Sequence, residues 1–236
     1  MDFKRITKWL DDVLDVASFS DVSNNGIQIA RGDGDVDCVA FGVDASVRTV
    51  EAAIAARAQM LVVHHGISWG GGMVRLTGGV YNVVKAAMDG NLALYAVHLP
   101  LDAHPRYGNN FELARYLGLS KLEPAFVYHG ETIGCVGELP DGRKVGICSG
   151  GGGEFAPRAR ELGCDLFVTG EADWGEVIAA ENVGMKMICA GHYETETFGV
   201  KAVMKAMETA LGVKTVFIPR ENERAVPVDA TVLTST

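Results

Sequence analysis

The sequence has no surplus of basic residues: 21 Lys and Arg stand against 30 Asp and Glu, a formal charge of −9 over 236 residues. Phosphate backbones are held by concentrated cations, so this balance argues against nucleic-acid binding through general electrostatics, leaving only a local basic patch. Paired cysteines are missing too. Cys38, Cys135, Cys148, Cys164 and Cys189 stand singly with no CxxC spacing, the pattern of reduced, buried thiols in a cytoplasmic protein. No apolar run approaches the roughly 18 residues needed to cross a bilayer. The N-terminus carries acidic residues at positions 2, 11 and 12 where a leader would be basic and then apolar. There is no Walker loop and no spaced dinucleotide fingerprint, and the Gly150–Gly153 run is only a weak phosphate-cradle signal. Neither Ser149 nor any cysteine has a local nucleophile signature.

What is present is an ordinary globular composition, 48% hydrophobic and 22% charged, enough for one large core or two small ones. Phe3, Ile6, Trp9, Leu10, Val13 and Leu14 recur at spacings of three and four, which predicts an amphipathic helix over 3–17. Ser23-Asn24-Asn25-Gly26 reads as a turn before an apolar stub. Strand 39–43, helix 47–57 and strand 60–63 then form a βαβ unit, expected parallel and right-handed. The Ser68–Gly72 segment reads as a mobile flap. A helix over 79–88, a strand over 92–97 and a helix over 111–117 follow. The second half repeats the order: strands 144–148, 165–168 and 185–190 with helices 155–162 and 174–181, then helix 197–211 and strand 214–218. The tail from Val226 is β-prone.

Gly42 and Gly66 are 24 residues apart, as are Gly146 and Gly170. Ala96-Val97-His98 ends one strand and Ala190-Gly191-His192 its counterpart, with Asp102 and Glu196 each four residues further on. This predicts an α/β fold of two similar halves, an internal pseudo-repeat with the metal site in the cleft between them. The first half is expected over 1–120 and the second over 144–236, joined by a hairpin or hinge over 121–143.

The chemistry gathers at strand ends. Leu61–Val63 is a short apolar run that stops at His64-His65-Gly66, placing two imidazoles at the carboxyl edge where open α/β sheets bind ligands. His64, His65, Asp102, His192 and Glu196 all fall at or just beyond strand C-termini. Three imidazoles and two carboxylates exceed what one catalytic zinc takes from protein, and suit two divalent ions bridged by a carboxylate; Fe, Zn, Mn, Co and Ni all fit such donors. The i, i+4 spacing of His192 and Glu196 brings both to one face if His192 is already helical. His98 and His104 are extra candidates, better read as an orienting or a loop histidine than as ligands. Glu171, in Thr169-Gly170-Glu171, fits a catalytic general base or substrate anchor as well as it fits plain helix N-terminal charge.

His64-His65-Gly66, the HLPLDAHPRYGNN stretch at 98–110, Thr169-Gly170-Glu171, GHYETETFGV at 191–200 and NNGIQ at 24–28 together resemble the GTP cyclohydrolase I type 2 homologues, the Nif-three-like family. The resemblance covers nearly the whole chain. It implies a toroidal homohexamer, a trimer of dimers, with two divalent metal ions per subunit on His64, His65, Asp102, His192 and Glu196. The Gly-rich 68–72 segment is looser than the aromatic stretch expected after the histidine pair. Three functions compete: metal-dependent hydrolysis of a nucleotide or phosphoester, metal or ligand carriage without turnover, and a protein- or nucleic-acid-binding scaffold, the last disfavoured by charge.

Overall fold

The computed structural model describes residues 1–32, 34–73 and 75–220; the tail from Val226 lies outside them. Among the described residues two compact units divide the chain, the first of residues 1–101 and 200–220, the second of residues 102–199. The segment at 121–143, expected as a connecting hairpin or hinge, is a hairpin built into the second unit's sheet.

In the first unit, helix α1 (Phe3–Val13) starts on Asp2, whose carboxylate accepts the Lys4 amide, and buries Ile6 and Leu10. It ends sooner than its apolar spacing suggests, because Asp15 takes left-handed backbone at φ 49° and begins a separate 3-10 turn. Strands β1 (Gly26–Ile29), β2 (Cys38–Asp44), β3 (Met60–His65) and β4 (Ala93–Ala96) alternate with helices α2 (Val47–Ala55) and α3 (Gly78–Asp89). Together with β10 (Lys214–Phe217) they give the sheet order β1-β4-β3-β2-β10. All neighbours are parallel except β1 on β4. Ala40, Leu61, Val63 and Leu94 pack against Val50, Ala53, Val83 and Ala87 of the helices. Fully burying one of these Val or Leu side chains contributes about 1.5–3 kcal/mol.

The second unit opens within α4 (Leu99–Ala103) and continues through α5 (Asn109–Tyr116), the hairpin β5 (Ser120–Tyr128) and β6 (Glu131–Glu138), and β7 (Lys144–Cys148). Then come α6 (Ala156–Glu161), β8 (Leu166–Thr169), α7 (Trp174–Asn182), β9 (Lys186–Cys189) and α8 (His192–Leu211). The sheet order is β5-β6-β7-β8-β9, with β7, β8 and β9 parallel. Leu113, Leu117, Cys135, Val145, Ile147 and Val168 form its core. Burial pushes the Cys135 thiol up to about 12 and the Cys148 thiol well above its usual range, so these are apolar fillers rather than thiolates.

The two halves do repeat. Gly42 faces Val63 and Gly146 faces Phe167, so the first crossover has the same register in both. The second crossover does not: Met60 faces Ala93, 33 residues on, whereas Leu166 faces Lys186, 20 residues on. By pairing, the counterpart of His98 is therefore Cys189 and not His192. After β9 the chain passes through Gly191 at φ 95° before α8 begins, so His192 falls three residues beyond the matching position.

The flap is fastened. Ser23 and Trp69 form an antiparallel bridge, Asn24 donates its amide to the Ser68 carbonyl at 3.1 Å, and Gln28 on β1 accepts from the Ile67 and Ser68 amides at 2.7 and 3.1 Å. This explains Gly66: a Cβ there would overlap Gln28 Oε1 and stand 2.6 Å from the Ala96 Cβ. Gly66→Ala is expected to cost about 2–3 kcal/mol, and Gln28→Ala, which loses the same bonds without the clash, about 1–2 kcal/mol. Urea unfolding measures both; a Gly66→Ala protein as stable as the parent would show that the Gln28 bracket contributes nothing.

Candidate metal centre

In the first unit, β3 carries His64, fully buried, and His65, half-buried, to its last two positions. A regular strand would point them to opposite faces, yet their rings lie 4.6 Å apart at a 44° tilt. His98, just past β4, is 5.1 Å from His64 and 5.8 Å from His65. Donor atoms of all three lie within 4.8 Å of one another, a group able to hold a metal ion. The structure thus gives His98 a more central place than sequence reasoning did. Trp69 stands edge-on to His98 at 5.1 Å, its indole N–H donating to the Gly66 carbonyl at 3.1 Å.

Each of these imidazoles is oriented through Nδ1. His64 Nδ1 lies 3.0 Å from the Val97 carbonyl, His65 Nδ1 is 2.8 Å from Asp44 Oδ1, and His98 Nδ1 is 3.0 Å from Asp21 Oδ1. An oxygen acceptor at Nδ1 places the proton there and makes Nε2 the lone-pair nitrogen, the arrangement metal-binding histidines use. Asp44 reaches His65 because the two are register partners on adjacent strands.

Asp21 is the residue that local motifs missed. Its carboxylate accepts from the Ser23 and Leu99 amides at 3.0 and 2.9 Å and from the Asn25 side chain at 2.9 Å, besides meeting His98. Asn25 Oδ1 in turn accepts the His98 amide at 2.8 Å.

In the second unit, α8 begins at His192, so His192 and Glu196 share a face as their spacing requires. His192 Nε2 is 3.2 Å from Glu196 Oε1, and its Nδ1 is 2.9 Å from Glu171 Oε1. The Glu196 bond leads the influences that hold the imidazole up to about 9, against the opposing effect of burial, with Glu171 adding to the rise. Glu171 is 64% exposed. It sits where it can both fix the His192 ring and exchange a proton with solvent.

Asp102, buried in α4, accepts at Oδ1 from Asn109 Nδ2 at 2.8 Å and, more weakly, from Ser149 Oγ at 3.4 Å. Asn110 donates to the Asp102 and Ile133 carbonyls at 3.3 and 2.8 Å and accepts the Ser149 amide at 2.6 Å. His104 is a turn cap: its Nδ1 accepts the Arg106 and Tyr107 amides at 3.1 and 3.0 Å.

Two amides of the glycine run after β7 are taken up by threonine hydroxyls. The Gly150 and Gly152 amides donate to Thr195 Oγ1 and Thr169 Oγ1, both at 3.0 Å. A Cβ on Gly150, whose φ is +64°, would overlap Glu196 Oε1 and stand 3.2 Å from His192 Nε2. Among the described residues, then, imidazole nitrogens and carboxylates with their orienting partners are in place, and this donor chemistry fits a divalent transition metal.

Burial is the largest influence on Asp21 and pushes its pKa up, but the bonds from His98, Ser23 and Asn25 and the charge of His98 together outweigh it and hold the carboxyl far below the usual range. A depressed folded-state pKa means that the unfolded chain takes the proton first. The stability is fully present above about pH 4 and is lost as pH falls towards the folded value. Asp21→Asn is expected to flatten the fall of melting temperature below about pH 4. An acid profile as steep as the parent's would show that Asp21 does not carry it.

Among the described residues no helix is long and apolar enough to cross a membrane. The model of the family Duf34/NIF3 (NGG1p interacting factor 3) matches residues 1–143 and 140–223. The GTP cyclohydrolase 1 type 2 homolog of Pyrococcus horikoshii is 39% identical over 247 residues, covering 92% of this chain and 98% of that protein. The Archaeoglobus fulgidus protein of the same name is 40% identical over 242 residues, with 92% and 98% covered. Among solved structures, TTHA1606 from Thermus thermophilus superposes with a TM-score of 0.80 at 32% identity, covering 95% of this chain and 100% of that one. Protein ybgI, described as of unknown function, gives 0.86 at 28% identity with the same coverage. Family model, full-length relatives and common fold agree: the chain belongs to the Duf34/NIF3 family.

Proposed function

We propose that the protein binds two divalent metal ions through His64, His65, Asp102, His192 and Glu196 and is a metal-dependent hydrolase of a nucleotide or phosphoester. The observation that carries this is the common treatment of the imidazoles: His64, His65 and His192 each meet a carbonyl or carboxylate oxygen at Nδ1, at 3.0, 2.8 and 2.9 Å. Histidines kept for packing alone have no reason to share one orienting oxygen at Nδ1. The name carried by the relatives, GTP cyclohydrolase 1 type 2 homolog, points to a purine nucleotide as the first substrate to try.

When bound, the ions would supply Lewis acidity and lower the pKa of water near neutrality. The chain's own part is to hold donors and move protons. Asp44 and the Val97 carbonyl fix the rings of His65 and His64. Glu171 is assigned the general base, since it is open to solvent and hydrogen-bonded to His192. Trp69, 38% exposed beside His65 and His98, offers an aromatic wall to a ligand.

Protein loaded with Zn, Mn, Fe, Co or Ni should convert GTP, followed by chromatography of the nucleotide. Transfer of metal to an acceptor with no turnover of any nucleotide or phosphoester would replace the hydrolase by a carrier. Metal content separates the two carboxylates. Glu196→Gln should lose at least one ion per subunit while the fold survives, whereas Glu171→Gln should keep both ions and lose turnover. Full metal content in Glu196→Gln, with a parent melting temperature unchanged by chelator, would dismantle the five-ligand assignment.

The family resemblance also supports a homohexamer, a trimer of dimers, in the cytoplasm. Light scattering at micromolar concentration should give six times the subunit mass, and a monomer would contradict it.

A further inference from the structure

Asn109, the first residue of α5, is fully buried and uses both ends of its amide. Nδ2 donates to Asp102 Oδ1 at 2.8 Å, and Oδ1 accepts the backbone N–H of Gly199, inside α8, at 2.7 Å. Gly199 is shaped for this contact: a Cβ on it would stand 2.7 Å from Asn109 Oδ1 and 2.9 Å from the Asn109 nitrogen. The polarity is also determined. A carboxylate accepts and a peptide N–H donates, so the residue between them must present a donor to one and an acceptor to the other over the reach of one short side chain. Asn does this; an Asp would set two carboxylates against each other, and a Leu would strip partners from two buried groups.

Glu196 lies three residues before Gly199 on α8, and His192 seven. We propose that Asn109 is a positioning residue, tying the Asp102 carboxylate to the helix that carries His192 and Glu196 so that the three present their donors as one rigid set. Ser149 Oγ meets the same Asp102 oxygen, so the carboxylate's rotation is held from two sides. Asn110 next door does a different task, holding β6 and the end of β7 through Ile133 and Ser149. The inference rests on the metal reading above and adds to it a residue that touches no metal.

The test is Zn²⁺ affinity by competition with a chromophoric chelator, the visible spectrum of the Co²⁺ form, and the melting curve of metal-free protein. Asn109→Ala should weaken Zn²⁺ binding about 10–100-fold and alter the Co²⁺ spectrum, and most of that loss should vanish in an Asp102→Asn background, since the effect passes through Asp102. Gly199→Ala is the second variant. It favours the helix by propensity while crowding Asn109, so weaker Zn²⁺ binding with undiminished helix content is expected. An Asn109→Ala protein that melts earlier without metal but keeps parental affinity and spectrum would overturn the proposal and make Asn109 merely structural. So would an equal loss in the Asp102→Asn background, or parental affinity in Gly199→Ala. Parent protein that takes up no Zn²⁺ would instead remove the metal reading, and this inference with it.

Discussion

Parallel strands stop pairing where their loops diverge, and peptide groups at that edge lose their ladder partners while still half-buried. Leaving such a group unsatisfied costs about 1–3 kcal/mol, so the loops can only take the paths on which short polar side chains meet them. Gln28 serves Ile67 and Ser68; Asp21 serves Ser23 and Leu99; Asn25 serves His98. In the second unit Asn110, Thr195 and Thr169 do the same for Ser149, Gly150 and Gly152. These loops follow or precede the elements that carry the candidate ligands, β3, α4 and α8.

The same economy explains the glycines and the cysteines. Gly66, Gly150 and Gly199 are each followed or faced by a polar group that occupies the space of the missing Cβ: Gln28, Glu196 and Asn109. These are close approaches of backbone to side chain rather than points of flexibility. The thiols of Cys135 and Cys148 are buried and pushed up, so these two fill space in the core rather than offer thiolates.

Much of this was legible in the sequence, because the signals are local. β7 runs over the residues its apolar stretch predicts, and the i, i+4 pair His192 and Glu196 does share a helical face, since α8 starts at His192. The misses are non-local. β1 is four residues long and reads as the end of a turn; its meaning lies in Gln28 meeting a loop 39 and 40 residues away. β5 is hidden because Lys121 and Phe126, at φ 50° and 65°, interrupt its alternation. Asp21 and Asp44 find their histidines 77 and 21 residues away, and no window on the chain contains both partners. His98 and His192 look alike in sequence but are not register partners, because strand register is set by backbone pairing and not by the residues that come after it.

The unequal second crossovers carry an evolutionary consequence. The additional length in the first half includes the flap with Trp69, and it is inserted between two strands whose pairing on either side stays regular. A duplicated half can therefore gain or shed such a segment without shifting a register or turning a core residue outward.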